Sequence, residues 1–169
     1  IAPGVEAGVL LLASTVIDGE NFFKASDVWR KSLKMALPSD INVSDGPIVG
    51  VDEMIVSQDA KRQLFEDTGA IACDMETHSM ARVATAAGVP FIVVRAISDP
   101  AWQDIPNWIL SFLTSDGEVD YWRLSLALVR YPWRFPTLIA LAGNSKKAFS
   151  SLRRVAGVSG SNFGSTIAY

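Results

Sequence analysis

Two carboxylates occupy matching places in a strand, helix, strand pattern between residues 70 and 101. Glu76 follows the apolar run 71–73, and Asp99 follows the apolar run 91–97. Short continuous apolar runs are typical of strands that are covered on both faces. Parallel strands that are joined by a helix run the same way, so we expect both carboxylates at one edge of the sheet, where α/β sheets bind ligands. Two carboxylates in one crevice indicate acid–base chemistry.

Each acidic residue of this segment also has a structural explanation. Asp74 stands directly before the helix and is suited to cap its first turn. Glu76 in that turn is favoured by the helix dipole, and Asp99 before Pro100 is suited to begin a turn. Arg95 lacks such an explanation, because a charge inside an apolar strand needs a partner. We expect the carboxylates at the end of the preceding strand to supply it.

The hydrophobic pattern predicts alternating strands and helices up to residue 100 and helices alone beyond it. Strands are predicted at 9–16, 47–51, 71–73 and 91–97, and helices at 26–35, 57–67 and 75–87. Further helices are predicted at about 105–113, 118–131 and 136–155. This order predicts an α/β fold in a single domain, residues 1–155, followed by a flexible Gly- and Ser-rich tail, residues 156–169.

Composition limits the class of protein. A chain of 169 residues with 49% hydrophobic content can bury one sizeable core. No apolar run reaches the roughly 18 residues that a membrane-spanning helix needs, so the transmembrane class is not expected. Cys73 is the single cysteine and cannot form an internal disulfide, which indicates a reducing, cytoplasmic compartment.

Metal and nucleotide-cofactor chemistry find no motif in the sequence. His78 is the single histidine, and no cluster has metal-ligand spacing, so no metal is expected. We expect His78 on the surface of its helix or at a rim, and the spacing of Cys73 and His78 does not indicate a catalytic dyad. No Gly-x-Gly-x-x-Gly or Walker sequence is complete, so no nucleotide cofactor is expected.

The strand, helix, strand segment resembles a known signature. Asp-Met-Glu at 74–76, followed by Val-Pro-Phe-Ile-Val-Val-Arg-Ala-Ile-Ser-Asp at 89–99, resembles the purine nucleoside phosphorylase and methylthioadenosine/adenosylhomocysteine nucleosidase superfamily in order and spacing. The resemblance implies a three-layer α/β/α fold with a central mixed sheet and cleavage of a purine N-glycosidic bond. It also implies a homo-oligomer, commonly a dimer, with no cofactor and with phosphate as a candidate co-substrate.

The same resemblance implies a role for each site residue. Asp99 matches the acid that protonates purine N7, Glu76 matches the carboxylate that holds the ribose hydroxyls, and Arg95 matches a residue near the attacking water or phosphate. To donate a proton near neutral pH, Asp99 would have to be kept protonated by burial or a hydrogen bond. The remaining residues are expected to contact substrate or orient the acid: Met75 against the sugar, Ser98 on Asp99, and the backbone at Met54 and Ile55 on the base. Core packing is the alternative for Met54 and Met75.

The C-terminal third resembles one branch of this superfamily. Asp-Gly-Glu-Val-Asp at 116–120, the run Leu-Ala-Leu-Val-Arg-Tyr-Pro-Trp-Arg-Phe-Pro-Thr-Leu-Ile-Ala-Leu-Ala at 126–142 and the basic helix up to Arg154 resemble the hopanoid-associated branch, whose members remove adenine from adenosylhopane. The branch implies a lipid-linked purine nucleoside as substrate. The strand, acid and Gly-rich loop with which family members begin find no match, so we expect an N-terminally truncated member. The alternative is a catalytically incompetent fragment that serves as a peripheral membrane or subunit-association module.

Charge is distributed unevenly along the chain. The net charge is −3, yet residues 121–169 contain no acid and hold the basic residues Arg123, Arg130, Arg134, Lys146, Lys147, Arg153 and Arg154. Apolar residues of the predicted helix 136–155 recur at largely helical spacing while four of these basic residues crowd another face, which predicts an amphipathic basic helix. Packing on the sheet and contact with an anionic membrane both fit this pattern. Nucleic-acid binding is not expected, because no recognisable module is present.

Overall fold

The computed structural model of the chain describes residues 2–112 and 120–159. The strands are β1 (Leu10–Asp18), β2 (Asn21–Lys24), β3 (Val43–Gly50), β4 (Ala72–Asp74) and β5 (Val94–Ala96). The helices are α1 (Asp27–Ala36), α2 (Gln58–Thr68), α3 (Thr77–Ala86), α4 (Asn107–Leu110), α5 (Tyr121–Arg130) and α6 (Phe135–Ser159), with a 3₁₀ turn at Pro132–Arg134. The predicted order of strands and helices is confirmed, and β2 is an additional strand.

Helix boundaries follow local signals in the sequence. The Ser26 hydroxyl accepts a hydrogen bond from the backbone N–H of Trp29 at 3.3 Å and caps α1. Ser57 caps α2 in the same way, through the N–H of Ala60 at 3.2 Å. Gly69 ends α2 with a φ of 67°, in the left-handed region that glycine adopts without strain.

The central sheet is mixed, and its long central strand β1 pairs with three other strands. β1 runs parallel to β3, which runs parallel to β4. The other edge of β1 pairs antiparallel with β5 near its start and with β2 near its end. The expectation that the strands on either side of α3 form a parallel crossover is therefore wrong, since β5 pairs antiparallel with β1.

Side chains of β1 alternate between two layers of helices, and a bulge shifts this alternation near the middle of the strand. Register with β3 shifts between Ala13 and Val16, which resets the usual alternation of faces along the strand. One face carries Val9, Leu11, Ala13 and Val16, in a cluster with Ala81 of α3. The opposite face carries Leu10 and Leu12, in a cluster with Leu33 of α1 and Ala148 and Val155 of α6. Helices thus cover both faces of the sheet, in three layers.

Several predicted boundaries differ from the structure. β5 covers only part of the apolar run 91–97, because residue 93 meets the bulge of β1, where its carbonyl accepts from the N–H of Ala13 at 3.0 Å. α4 is much shorter than the helix predicted at 105–113, whose last residue lies outside the described residues. α6 continues to Ser159, beyond the predicted end of the domain at residue 155, and the rest of the predicted tail lies outside the described residues. Within the described ranges, no helix is both long and apolar enough to cross a membrane.

Candidate active site

A cavity of about 330 Å³ lies where the segments that follow β3, β4 and β5 meet α6. All seven residues that sequence reasoning assigned to a site line it, namely Met54, Ile55, Met75, Glu76, Arg95, Ser98 and Asp99. Leu141 and Ser145 of α6 line the cavity from the other side. The two carboxylates therefore share one crevice, although the strands before them do not form the expected parallel pair.

Asp74 fixes the turn between β4 and α3. Its Oδ1 atom accepts hydrogen bonds from the backbone N–H groups of Thr77 at 2.9 Å and Glu76 at 3.3 Å, and the Thr77 hydroxyl donates to Oδ2. The Asp74 side chain is almost completely buried. The N-cap of α3 is Glu76, so Asp74 lies two residues before the expected capping position, but its carboxylate still satisfies the N–H groups of Glu76 and Thr77 at the start of the helix. It thereby holds the neighbouring Glu76 at the cavity wall.

Arg95 connects the two strand ends through its guanidinium group. Its Nη1 atom lies 3.4 Å from Oδ2 of Asp74 and 3.9 Å from Oε2 of Glu76. The expected partners of this strand arginine are confirmed, and the buried Asp74 is the closer one. Because the arginine side chain is only partly buried, the positive charge is also presented to the cavity.

The two methionines at the site face the cavity and not the core. Met54 is 46% exposed and Met75 is 45% exposed, and both line the cavity. Core packing is therefore the wrong explanation for either residue. Exposed, polarisable thioether side chains of this kind suit contact with the flat apolar faces of a ligand.

Lys61 of α2 is a site residue that sequence reasoning missed. Its side chain is 2% exposed, and its Nζ atom lies 2.9 Å from Oδ2 of Asp99. The same ammonium donates to the carbonyl oxygens of Gln103 at 2.8 Å and Pro100 at 3.3 Å. One buried cation therefore holds both the Asp99 side chain and the turn that carries it. The available signal was its place on the inward face of α2, three and four residues before the partly buried Leu64 and Phe65.

Asp99 is held from two sides. Oδ2 faces the ammonium of Lys61, and Oδ1 accepts a hydrogen bond from the Ser98 hydroxyl at 3.3 Å, so Ser98 contacts the acid as expected. About a third of the Asp99 side chain is exposed. The carboxyl group is therefore only partly buried, and one cation and one hydroxyl group hold its two oxygens.

Cys73 and His78 lie near the site, but neither has the surroundings of a reactive group. Burial raises the pKa of the Cys73 thiol, which favours the unreactive neutral form. His78 is buried, so the expectation of a surface or rim histidine is wrong. α3 packs this imidazole against Gly50 at the end of β3, where a Cβ atom would overlap it. Among residues 2–112 and 120–159, no three His, Cys, Asp or Glu side chains come together as a candidate metal site.

Comparison with known proteins identifies the family. Residues 4–112 match the Phosphorylase superfamily, so the chain belongs to this superfamily. The match includes the whole strand, helix, strand segment and the residues that line the cavity from β3 to β5.

Similar proteins of this family are nucleosidases. The aminodeoxyfutalosine nucleosidase of Campylobacter jejuni is 32% identical over 87 residues, which cover 50% of this chain and 38% of that protein. The crystal structure of the C. jejuni 5'-methylthioadenosine/S-adenosyl homocysteine nucleosidase is 27% identical with a TM-score of 0.55, covering 61% of this chain and 53% of that one. The futalosine hydrolase of Helicobacter pylori is 25% identical with a TM-score of 0.54, covering 60% and 52%. These matches confirm the mixed α/β fold, and the chain spans about half the length of these structures and less of the curated relative.

Proposed function

We propose that the protein cleaves the N-glycosidic bond of a purine nucleoside and releases adenine. The observation that carries this proposal is the common cavity of Asp99, Glu76 and Arg95. The nucleosidase relatives support the reaction class, and the substrate is proposed from the residues of this chain.

The chemistry of the bond explains the separate roles that we propose for the two carboxylates of the cavity. When the bond between ribose C1' and purine N9 breaks, positive charge develops on the ribose and negative charge on the base. We assign Glu76 to accept hydrogen bonds from the ribose hydroxyls, where its negative charge would stabilise the oxocarbenium-like ribose. We assign Asp99 to the base, whose N7 gains basicity as the bond breaks.

A proton must lie between Asp99 and purine N7, because a carboxylate and N7 are both hydrogen-bond acceptors. The proposed step therefore moves a proton from the Asp99 carboxyl group to N7 as the bond to C1' breaks, and the ammonium of Lys61, 2.9 Å away, pairs with the carboxylate that remains. We assign to Lys61 the role of holding Asp99 in place and supplying charge balance when N7 is protonated. Ser98 fixes the other oxygen of the same carboxyl group.

Arg95 is assigned to the nucleophile side of the reaction. Asp74 orients the guanidinium, and the exposed part of the side chain faces the cavity. If the nucleophile is phosphate, the guanidinium of Arg95 can bind it directly. If the nucleophile is water, Arg95 can help to position it through an anionic neighbour. Phosphate is the candidate co-substrate, and no other cofactor is part of the proposal.

The proposed substrate is an adenosyl-linked hopanoid or a related nucleoside with an apolar substituent. Resemblance of the C-terminal third to the hopanoid-associated branch supports this choice. A second cavity of about 300 Å³ shares Arg95, Ser98 and Ser145 with the first and extends along α6. Apolar side chains, among them Phe149 and Leu152, line this extension and suit a lipid-like substituent. A reducing, cytoplasmic location and a homo-oligomer complete the proposal.

Adenine release tests the proposed function directly. The full chain is incubated with adenosylhopane and with 5'-methylthioadenosine, each with and without phosphate, and free adenine is quantified by chromatography. We expect release from adenosylhopane, and dependence on phosphate decides between phosphorolysis and hydrolysis. Absence of release from every substrate rejects the proposal for this chain.

The Asp99→Asn variant tests the assignment of the acid. We expect a loss of about 10²-fold or more in kcat with adenine binding retained, a typical value for removal of a general acid. Asp67→Asn, at an exposed position of α2, is the matched control and keeps full activity. Circular dichroism verifies that both variants are folded. Unchanged activity of Asp99→Asn would exclude Asp99 as the proton donor.

A further inference from the structure

Helix α5 exposes apolar side chains at helical spacing. Trp122, Leu126 and Val129 follow each other at intervals of four and three residues, which places them on one face of the helix. Trp122 is 75% exposed and Val129 is 84% exposed. The half-buried Leu124 and Leu128 lie on the opposite face. A surface helix of a globular protein usually exposes its polar face, so this exposed apolar face requires a partner.

Exposed apolar side chains continue into the next elements. Together they form what we call the α5–α6 stripe, which consists of Trp122, Leu126, Val129, Trp133, Phe135 and Ile139. Two of the six residues are tryptophans, the side chain that is enriched at the interface between a bilayer and water.

Positive charges predominate around the α5–α6 stripe, and Asp120, which caps the start of α5, is an acid at its end. Arg123 and Arg130 lie beside it on α5, and the guanidinium of Arg134 stacks over the rings of Trp108 at 4.7 Å and Tyr131 at 4.5 Å. From residue 121 onward the sequence contains no acid, while the residues before it carry an excess of acids. A cationic, tryptophan-bearing apolar face matches the charge and the interfacial chemistry of an anionic lipid surface.

We infer that the α5–α6 stripe docks on the surface of an anionic lipid bilayer. The apolar side chains enter the headgroup region, and the adjacent arginines pair with lipid phosphates. The acidic first two thirds of the chain is repelled by the same surface, so a single orientation is favoured. α6 also lines the candidate active site, and docking therefore brings the cavity close to the lipid.

This surface differs from the one that the sequence predicted. The predicted contact was the basic face of α6, but there Arg154 is paired with Asp40 at 2.6 Å. Ala148 and Val155 of the same helix lie in the core. Part of α6 therefore packs against the rest of the protein, whereas the exposed apolar side chains of the stripe lie on α5, in the 3₁₀ turn and at the start of α6. The docking proposal does not depend on the proposed enzymatic activity.

Vesicle sedimentation tests the inference with the full chain. Vesicles contain either phosphatidylcholine alone or equal amounts of phosphatidylcholine and phosphatidylglycerol, at low and high salt. We expect retention by the anionic vesicles at low salt and release at high salt. Val129→Glu should weaken this retention about tenfold, because the variant loses the burial of a valine side chain in the lipid and places a negative charge at the anionic surface. Val83→Glu, at another exposed valine, on α3, is the matched control and should bind like the wild type.

Three results would overturn the inference. One is the absence of retention by anionic vesicles at low salt. Another is equal loss of retention in Val129→Glu and Val83→Glu, which would remove the stripe from the contact. The third combines two observations: the wild type does not bind vesicles, and in size-exclusion chromatography it is a dimer whereas Val129→Glu is a monomer. The stripe would then be a protein interface. Adenine release is measured separately, so failure of docking and failure of catalysis are distinguishable.

Discussion

The ammonium of Lys61 lies 2.9 Å from the carboxylate of Asp99, and this contact ties α2 to the loop that follows β5. Lys61 is buried and Asp99 lies at the cavity, so the pair joins the interior of the protein to its candidate active site. Two backbone carbonyl groups of the same loop share the ammonium. The position of the proposed acid therefore depends on a residue of a different helix.

Replacing Lys61 should impair both stability and the proposed reaction. In Lys61→Met, two carbonyl groups and a carboxylate lose their donor, which should lower the free energy of unfolding by about 2 kcal/mol. We also expect the pH–rate profile of adenine release to change, which a purely structural defect would not cause. Urea unfolding and steady-state kinetics measure the two effects.

Arg62→Met provides the control for this experiment. Arg62 is the next residue of α2, is exposed, and pairs with Asp59 on the surface. Exposed pairs contribute about 0–1 kcal/mol, so this variant should remain close to the wild type in stability and activity. An unchanged pH–rate profile in a folded Lys61→Met would contradict the role assigned to Lys61.

Removal of the Arg95 guanidinium should leave Asp74 buried without its countercharge. We expect Arg95→Met to lower the free energy of unfolding by about 1–3 kcal/mol and to reduce kcat/KM by about tenfold or more. Thermal unfolding and the adenine assay measure these losses. Arg82→Met, which removes a more exposed pair with Asp18, is the matched control and should lose little activity. Equal activity losses in both variants would argue against a specific function of Arg95.

A side chain at position 50 should disturb the packing of α3. The Cβ atom of Gly50→Ala would overlap the His78 side chain, and overpacking of this kind costs about 1–3 kcal/mol. Gly143→Ala on α6 meets nothing within 4 Å and should be neutral or slightly stabilising. Denaturant unfolding of the two variants compares them directly. If Gly50→Ala is as stable as the wild type, the close contact between β3 and His78 is wrong.

The pair of Asp40 and Arg154 should make the anchoring of α6 dependent on pH. The hydrogen bonds from Arg154 hold the pKa of Asp40 below its usual value of 3.8. A carboxyl whose pKa is lowered by folding stabilises the protein above its unfolded value, and this contribution is lost as the pH falls through the folded value. The difference in Tm between wild type and Asp40→Asn should therefore be present near neutral pH and disappear in strong acid. A difference that stays constant throughout this range would exclude the ion pair as its cause.

Local features of this protein were readable from the sequence. Ser26, Ser57 and Gly69 mark helix ends because capping depends on hydrogen bonds within a few residues. The site residues were recognised for a related reason, since the spacing of Glu76, Arg95 and Asp99 around one helix is a property of the chain itself. The α/β class followed from the order of apolar runs, whereas the mixed sheet was implied by the family resemblance.

Tertiary structure decided which distant residues meet. The bulge in β1 and the antiparallel pairing of β5 depend on partners far along the chain, so periodicity alone predicted the wrong strand arrangement. Burial of His78 and the contact of Lys61 with Asp99 likewise depend on how α2 and α3 pack on the sheet. The sequence alone determined which groups were available for chemistry. Long-range packing determined which of them the cavity brings together, because a sequence pattern shows which residues are neighbours along the chain and not which are neighbours in space.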